Sequence, residues 1–186
     1  TNKVAWHQKK LVELQSTTLK PDDSRIFPMW YAPLVVMEDG QLLIKPMRYH
    51  CRPNGKPERL DKQFDGLYNA RRDSLGKFWK DLFGRRHGVM LATSFYENVA
   101  LHDFEKRELM PGEKPSNVVL HFNPRHAEPM MVACLWDHWH ETGKQDLWSF
   151  SAITDEPPEE VAATGHDRCI VPLKPENVRP WLAPQG

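Results

Sequence analysis

Three short stretches of this chain carry residues that could move a proton or hold an anion. The first is "LYNARRD" (67–73), with Asn69 and Arg71 between a loop-like run, "CRPNGKPERLDKQFDG", and an amphipathic one, "SLGKFWKDLFGRR". A polar, basic tripeptide at such a junction has two readings. It starts a helix, with Asp73 or Ser74 as the cap, or it turns Asn69 and Arg71 towards a bound anion, for which the planar guanidinium fork is suited. The second is Glu97 in "SFYEN" (94–98). A carboxyl beside Phe95 and Tyr96 that loses water gains a raised pKa and becomes a useful general acid or base. The plainer alternative is a strand-end Glu facing solvent. The third is His166 in "TGHDRCIV" (164–171), where Asp167 and Arg168 could fix its charge or tautomer. A loop histidine before a strand is also common without any function.

A fourth stretch, "WDHWHE" (136–141), invites a metal reading, with His138 and His140 on one strand face and Asp137 and Glu141 as oxygen ligands. It lacks an H-E-x-x-H pattern and a third ligand at a familiar spacing, and it runs into a turn, "TGK". The expectation is a half-exposed strand end, no metal and no other cofactor. No G-x-S-x-G, P-loop or G-x-G-x-x-G occurs, so serine hydrolase, nucleotide hydrolase and dinucleotide chemistry are unsupported.

The elements that must position these residues are short. Residues 26–37, "IFPMWYAPLVVM", are apolar, β-prone and broken by two prolines, and so read as an edge strand or a loop entering one. Asp39-Gly40 is a hairpin signal before the next strand. "SLGKFWKDLFG" sets Leu75, Phe78, Trp79 and Leu82 at helical spacing, with Gly84 as a stop. "GVMLATSFYENV", "NVVLHFN", "MMVACLWDHW", "LWSFSAIT" and "DRCIVPL" read as strands; "PPEEVAATG" and "KPENVRPWL" read as short helices. With no strand–helix alternation, the pattern predicts a single α+β domain over 1–186: a curled, barrel-like, mainly antiparallel sheet with a few short helices.

Composition excludes some classes and leaves others open. A length of 186 residues fits one domain, and no apolar run approaches the roughly 20 residues that span a bilayer. The three cysteines, Cys51, Cys134 and Cys169, are scattered, which disfavours a disulfide framework or zinc knuckle and fits a reducing cytoplasm. Net charge is zero but unevenly spread. Residues 45–86 hold twelve Lys/Arg against five Asp/Glu, and residues 87–160 hold five against thirteen. Such a chain can present one positive face to a polyanion, or simply two solvated faces.

Taken in order, "NARRD", "FYE", "CLWDHW", "SFSAIT", "GHDRCIVPL" and "WL" resemble the SRAP family, the SOS response-associated peptidases that process abasic sites in single-stranded DNA. The resemblance runs from about Ile26 to Leu182. It implies a catalytic set of Asn69, Glu97 and His166, with Arg71 holding a DNA phosphate. Glu97 matches the family's acid/base Glu, and His166 the His that assists opening of the deoxyribose ring and reversal of the crosslink. It implies a covalent DNA–protein crosslink through an N-terminal Cys, with self-processing peptidase and lyase activities in the same pocket. The expected partner is single-stranded DNA containing abasic sites, met by a monomer in a bacterial or phage-related cytoplasm, at the nucleoid. Arg48, Arg52 and Arg72 are expected beside Arg71 in a DNA groove.

The sequence also departs from that pattern. The family opens with Cys-Gly-Arg after the initiator Met, whereas this sequence begins Thr1-Asn2-Lys3 and has no Cys before Cys51. The expectation is that a few upstream residues hold the nucleophile; the alternative is a non-covalent single-strand binder on the same fold. The family's Asn in the segment matching "FPMWYAP" is missing. Its Trp-Gly pair is Tyr49-His50 here, so Tyr49 is expected to stack on bases instead.

Overall fold

Strict alternation builds the first hairpin. In strand β1 (Tyr31–Glu38), Ala32, Leu34 and Val36 are buried while Tyr31 and Pro33 face out. β1 pairs along its whole length with β2 (Gln41–Tyr49). The turn places Asp39 and Gly40 at φ +50° and +76°, the pair of positive values that a two-residue hairpin of the right twist needs. Pro33 lies opposite Pro46. Neither has an N–H, so the two occupy a position where the ladder asks for none.

The computed structural model describes residues 24–124 and 128–184. After β2 come a short helix α1 (Leu60–Gln63), β3 (Asn69–Arg71), β4 (His87–Ala92), β5 (Phe95–Ala100), α2 (Leu101–Phe104), β6 (Asn117–Phe122), β7 (Met130–Trp139), β8 (Leu147–Asp155), α3 (Glu159–Ala162), β9 (Cys169–Ile170), β10 (Pro172–Leu173) and α4 (Pro175–Leu182). The order β7-β4-β1-β2-β8 closes through a β7–β8 pairing into a five-stranded barrel. β5 and β6 form a separate antiparallel ribbon. The mainly antiparallel α+β expectation holds, with two parallel contacts, β2–β8 and β3–β8.

β7 explains its own unbroken apolar run. Val132, Cys134 and Trp136 point into the barrel with Leu34, Val36, Met47 and Phe150. Ala133 and Leu135 point the other way, into a second core with Cys51, Leu67, Ala70, Trp79, Leu82 and Ile153. A strand buried on both faces has no polar alternation to show.

Several local expectations are corrected. β1 is not an edge strand: it lies between β2 and β4, although β4 reaches only Val35 and Val36, which leaves the Pro33 end paired on one side. "GVMLATSFYENV" is two strands, because the chain leaves the barrel at Thr93-Ser94 to enter the ribbon. Residues 75–85 form consecutive turns instead of a helix, with hydrogen bonds of mixed three-, four- and five-residue spacing, yet Leu75, Trp79 and Leu82 still reach the second core. "DRCIVPL" splits at Val171 into β9 against β8 and β10 against β7.

Candidate active site

β8 organises the site. Along one edge it pairs with β2 and then β3, and along the other with β7 and then β9. Asn69 sits opposite Ala152 at the start of β3, half-buried. Cys169, three residues after His166, sits opposite Asp155 on the far edge of the same strand. Asn69 and the His166 loop therefore flank one end of β8, separated by that strand.

Glu97 and His166 meet directly. Glu97 Oε2 lies 3.0 Å from His166 Nε2, and both side chains are about four-fifths buried, at 22% and 18% exposure. The chain brings them together through a glycine. Gly165 has φ +88°, and a Cβ there would stand 3.1 Å from Cβ of Asp103 and 3.4 Å from Val99. The His166 loop thus lies hard against α2 and the end of β5, the strand that carries Glu97.

The ring nitrogens have distinct tasks. His166 Nδ1 is 2.7 Å from the carbonyl oxygen of Arg168, a distance at which Nδ1–H donates to it. The other nitrogen, Nε2, faces the Glu97 carboxyl at 3.0 Å. Burial pushes the Glu97 carboxyl above its ordinary value; the neighbouring His166 opposes this and Asp167 adds to it. This is the pattern of a proton shuttle: a carboxyl reluctant to ionise against an imidazole whose orientation is fixed.

Tyr49 borders the pair from the barrel side. Its ring stacks on Phe150 at 5.2 Å and meets Tyr68, the neighbour of Asn69, edge-on at 5.8 Å. Burial above all, with the Glu97 carboxyl adding to it, holds its phenol far above the usual range, so it stays neutral. The ring that was expected to stack on bases is thus already packed against protein on two sides.

The arginines divide. Arg71 and Arg72 are exposed, pairing with Asp73 at 2.7 Å and Asp155 at 2.7 Å. Arg168, half-buried, depresses both of those aspartates from behind, after their direct hydrogen bonds from Arg71 and Arg72. Two buried polar atoms lie among them without a hydrogen-bond partner among the described residues: Nε of Arg168 and the hydroxyl of Thr154 on β8. Thr154 is opposite Arg71 on β3 and Ile170 on β9, and it is buried; of Arg71 and Arg168, Arg71 is the one whose side chain is about half exposed and open to an anion. Sequence reasoning gave Arg168 only a part in fixing His166 and passed over Thr154; the signal was its place at the end of "SFSAIT", beside the strand that follows His166.

Arg48 and Arg52 correct the groove expectation. They are 7% and 5% exposed, and both grip Asp61: Arg48 at 2.8 Å, Arg52 through a short contact to the same oxygen. Arg48 also donates to the carbonyl of His50, and Arg52 lies over Trp139. They are structural cations, turned away from any phosphate. The "WDHWHE" histidines are likewise engaged: His138 and His140 each hold one oxygen of Asp146, at 3.0 and 2.6 Å. Asp137 accepts from the backbone N–H of Asn54 and of His138.

All three cysteines are buried and unpaired. Burial pushes the Cys51 thiol up to about 12 and the Cys169 thiol up to about 11, and raises Cys134 further. None has the thiolate character of a nucleophile. Among the described residues no helix is long and apolar enough to cross a membrane.

Residues 3–186 match the family described as SOS response associated peptidase (SRAP). No protein of curated function matches. Among solved structures, a protein from Bacteroides thetaiotaomicron is similar with a TM-score of 0.67 at 15% identity, over 84% of this chain and 64% of its own. A protein from Bordetella bronchiseptica gives 0.65 at 19%, over 84% and 74%. A phage-related protein from the same organism gives 0.60 at 20%, over 85% and 68%. At these identities the likeness concerns the fold. This chain spans less than two thirds of the first of these proteins.

Proposed function

The chain belongs to the SOS response associated peptidase family, a peptidase-like family of the DNA-damage response, and we propose that its cleft processes abasic sites in single-stranded DNA. The observation that carries this reading is the Glu97–His166 pair, a shielded carboxyl and an oriented imidazole 3.0 Å apart.

An abasic site is an aldehyde masked as a ring hemiacetal. Opening the ring takes a proton from the anomeric hydroxyl and gives one to the ring oxygen, work that suits His166. The α-amine of an N-terminal Cys, in the few residues expected upstream, attacks the freed aldehyde to give a carbinolamine. Glu97, its pKa raised by burial, donates the proton with which the hydroxyl leaves as water. The thiol then adds across the C=N bond and its proton passes to the nitrogen, closing a thiazolidine. Asn69 orients the amine without competing for its proton, and Arg71 holds the adjacent phosphate. Initiator-Met removal and β-elimination would use the same two proton carriers.

A denaturing gel shift tests this with a uracil-derived abasic oligonucleotide, comparing the chain from Thr1 with one carrying Cys-Gly-Arg ahead of it. The extended protein should give a heat-stable adduct with abasic DNA and none with intact DNA. If it gives none, or if the chain from Thr1 gives as much, the covalent mechanism is wrong. The second reading, a non-covalent single-strand binder, draws on the three buried, hard-to-ionise thiols. It requires binding in the same assay under native conditions with no adduct from either protein.

A further inference from the structure

The segment before β1 carries exposed aromatic surface next to the candidate site. Phe27, Met29, Trp30 and Tyr31 are 38%, 47%, 41% and 57% exposed; other rings are exposed too, Phe64 and Phe83 among them, but these four residues lie within five consecutive positions. Large rings left in water at one place are informative in a way that scattered ones are not.

A strained turn holds them there. The Trp30 N–H donates to the Phe27 carbonyl at 3.0 Å, closing a four-residue turn with Pro28 second and Met29 third. Met29 has φ +72°. That is the type II geometry, in which proline suits the second position and the third calls for glycine. Placing Met there costs about 1 kcal/mol or more, a cost that persists only where the surroundings over-determine it. They do: the Met29 N–H donates to the Tyr49 carbonyl at 2.6 Å, and the Tyr49 N–H to the Trp30 carbonyl at 2.7 Å. The turn is therefore clamped to Tyr49, whose ring meets that of Tyr68, the neighbour of Asn69.

The aromatic surface continues onto the ribbon. The Arg25 guanidinium lies 5.1 Å from the Phe27 ring centre and 5.9 Å from that of Tyr96. Tyr96 is 44% exposed and stacks on His121 across the ribbon at 4.4 Å. Its neighbour Glu97 points through the ribbon to His166, so the outer face with Tyr96 and the inner face with the shuttle are two sides of one strand. Phe27, Trp30 and Tyr96, with a guanidinium between them, combine what an unpaired nucleic-acid strand needs: flat faces for bases and a cation for a phosphate.

We propose that Phe27, Trp30 and Tyr96, with Arg25, form a stacking platform for intact unpaired bases flanking the damaged position. This rests on the single-stranded DNA reading above and extends it: Arg71 serves the phosphate beside the lesion, while the platform holds the neighbouring bases. It places base stacking at the exposed Trp30 and Tyr96, where the Tyr96–His121 pair offers a ready-made stack to extend, away from Tyr49, which is packed between Phe150 and Tyr68. Stacking of this kind accepts any base, so the platform confers affinity without sequence preference.

Fluorescence anisotropy with a labelled, undamaged oligothymidylate of about 15 nucleotides, the length of a single-strand site, tests the platform separately from the chemistry. Trp30→Ala and Tyr96→Ala should each weaken binding roughly 5- to 100-fold, the range for losing one base–ring stack. Trp30→Phe should retain most of the affinity, and Trp30→Leu, which keeps apolar area without a flat face, should behave as the Ala variant. The platform is overturned if the Ala variants bind as tightly as the parent, if Trp30→Leu matches Trp30→Phe, or if the parent binds no single strand. It is also overturned if the parent sediments as a dimer that Trp30→Ala dissociates, because the surface is then a contact between copies. Ring-dependent binding without any abasic adduct would sink the covalent reading and leave the platform standing.

Discussion

Two carboxyls, one under the barrel and one under the ribbon, are both largely removed from water, and they have opposite fates. Burial alone would raise Asp61, but hydrogen bonds and charge from Arg52 and Arg48 outweigh it and hold the carboxyl below its ordinary 3.8. Among the described residues Glu97 is paired with an imidazole, whose charge is conditional, and burial raises it above its ordinary 4.5. The same desolvation thus yields a fixed structural anion in one place and a proton carrier in the other. What decides is whether the partner's charge can be removed at working pH: a guanidinium's cannot, an imidazole's can.

The largest effect expected from this contrast is on folding. Asp61→Asn leaves two buried guanidinium groups facing a neutral amide and should destabilise the fold by about 3–5 kcal/mol, the usual cost of orphaning a buried charge. Urea denaturation should show the midpoint falling sharply. The pH signs should also oppose. Asp61, depressed in the fold, contributes stability that is present above pH ~3.8 and lost as pH falls through its folded value. Glu97, raised in the fold, contributes stability that is present below pH ~4.5 and lost as pH rises through its folded value. Glu97→Gln should therefore match the parent in acid and melt no lower than the parent at neutral pH. A lower melting temperature at pH 7 would mean that Glu97 is an ordinary structural anion.

The second effect is on chemistry. With the Cys-Gly-Arg opening in place, Glu97→Gln should slow adduct formation about 10²–10⁴-fold, the span attributed to one positioned proton carrier. Binding to the same oligonucleotide should be unchanged. Single-turnover kinetics at saturating protein separate the two, and an unaltered rate would remove Glu97 from the mechanism. Gly165→Ala should act on the same rate from a distance. Its Cβ would press on Asp103 and strain a φ of +88°, shifting His166 off Glu97 without touching either charge.

The contrast also shows what the sequence could and could not disclose. "NARRD", "FYE" and "GHDR" pointed to Glu97 and His166, which meet although 69 positions apart (166 − 97). Their types and order carried that information. The arginines of residues 45–86 read as one basic run, yet Arg48 and Arg52 face inward onto Asp61 while Arg71 and Arg72 face outward. Which way they turn depends on Asp61, on a four-residue helix that has no periodic signal to announce it. A curled, barrel-like sheet was expected, but which strands close it was not legible: the β7–β8 antiparallel and β2–β8 parallel pairings are long-range choices that no local pattern encodes. Residues 75–85 kept the helical spacing of their apolar side chains but became turns, because packing three of them into the second core constrains the side chains more than the backbone.

A smaller effect distinguishes the two exposed arginines. Arg71→Ala should weaken binding to single-stranded DNA several-fold and lower the slope of log affinity against log salt by about 0.7, the share of one phosphate on a single strand. Arg72→Ala, whose partner Asp155 lies off the Asn69 strand, should change the slope less. Arg48→Ala should leave the slope alone and lower stability instead. Equal slopes for Arg48→Ala and Arg71→Ala would erase the division between structural and ligand-facing cations.

The smallest effect tests whether the strained turn beside the site belongs with the fold or with the ligand. Met29 occupies φ +72°, where a side chain costs about 1 kcal/mol and glycine nothing. Met29→Gly removes that cost but gives the unfolded chain more freedom, worth about 0.5–1 kcal/mol in the other direction. The balance should be a change in melting temperature of no more than a few degrees, neutral or upward, since about 1 kcal/mol moves a domain of this size by 2–4 °C. If Phe27 and Trp30 are held for a ligand, the same substitution should weaken binding to undamaged single strands more than it alters stability, because a looser turn must be ordered when bases stack. A clear loss of melting temperature would show instead that Met29 is a packing residue whose contacts outweigh its strain, and the turn would then belong with Asp61 on the side of the fold.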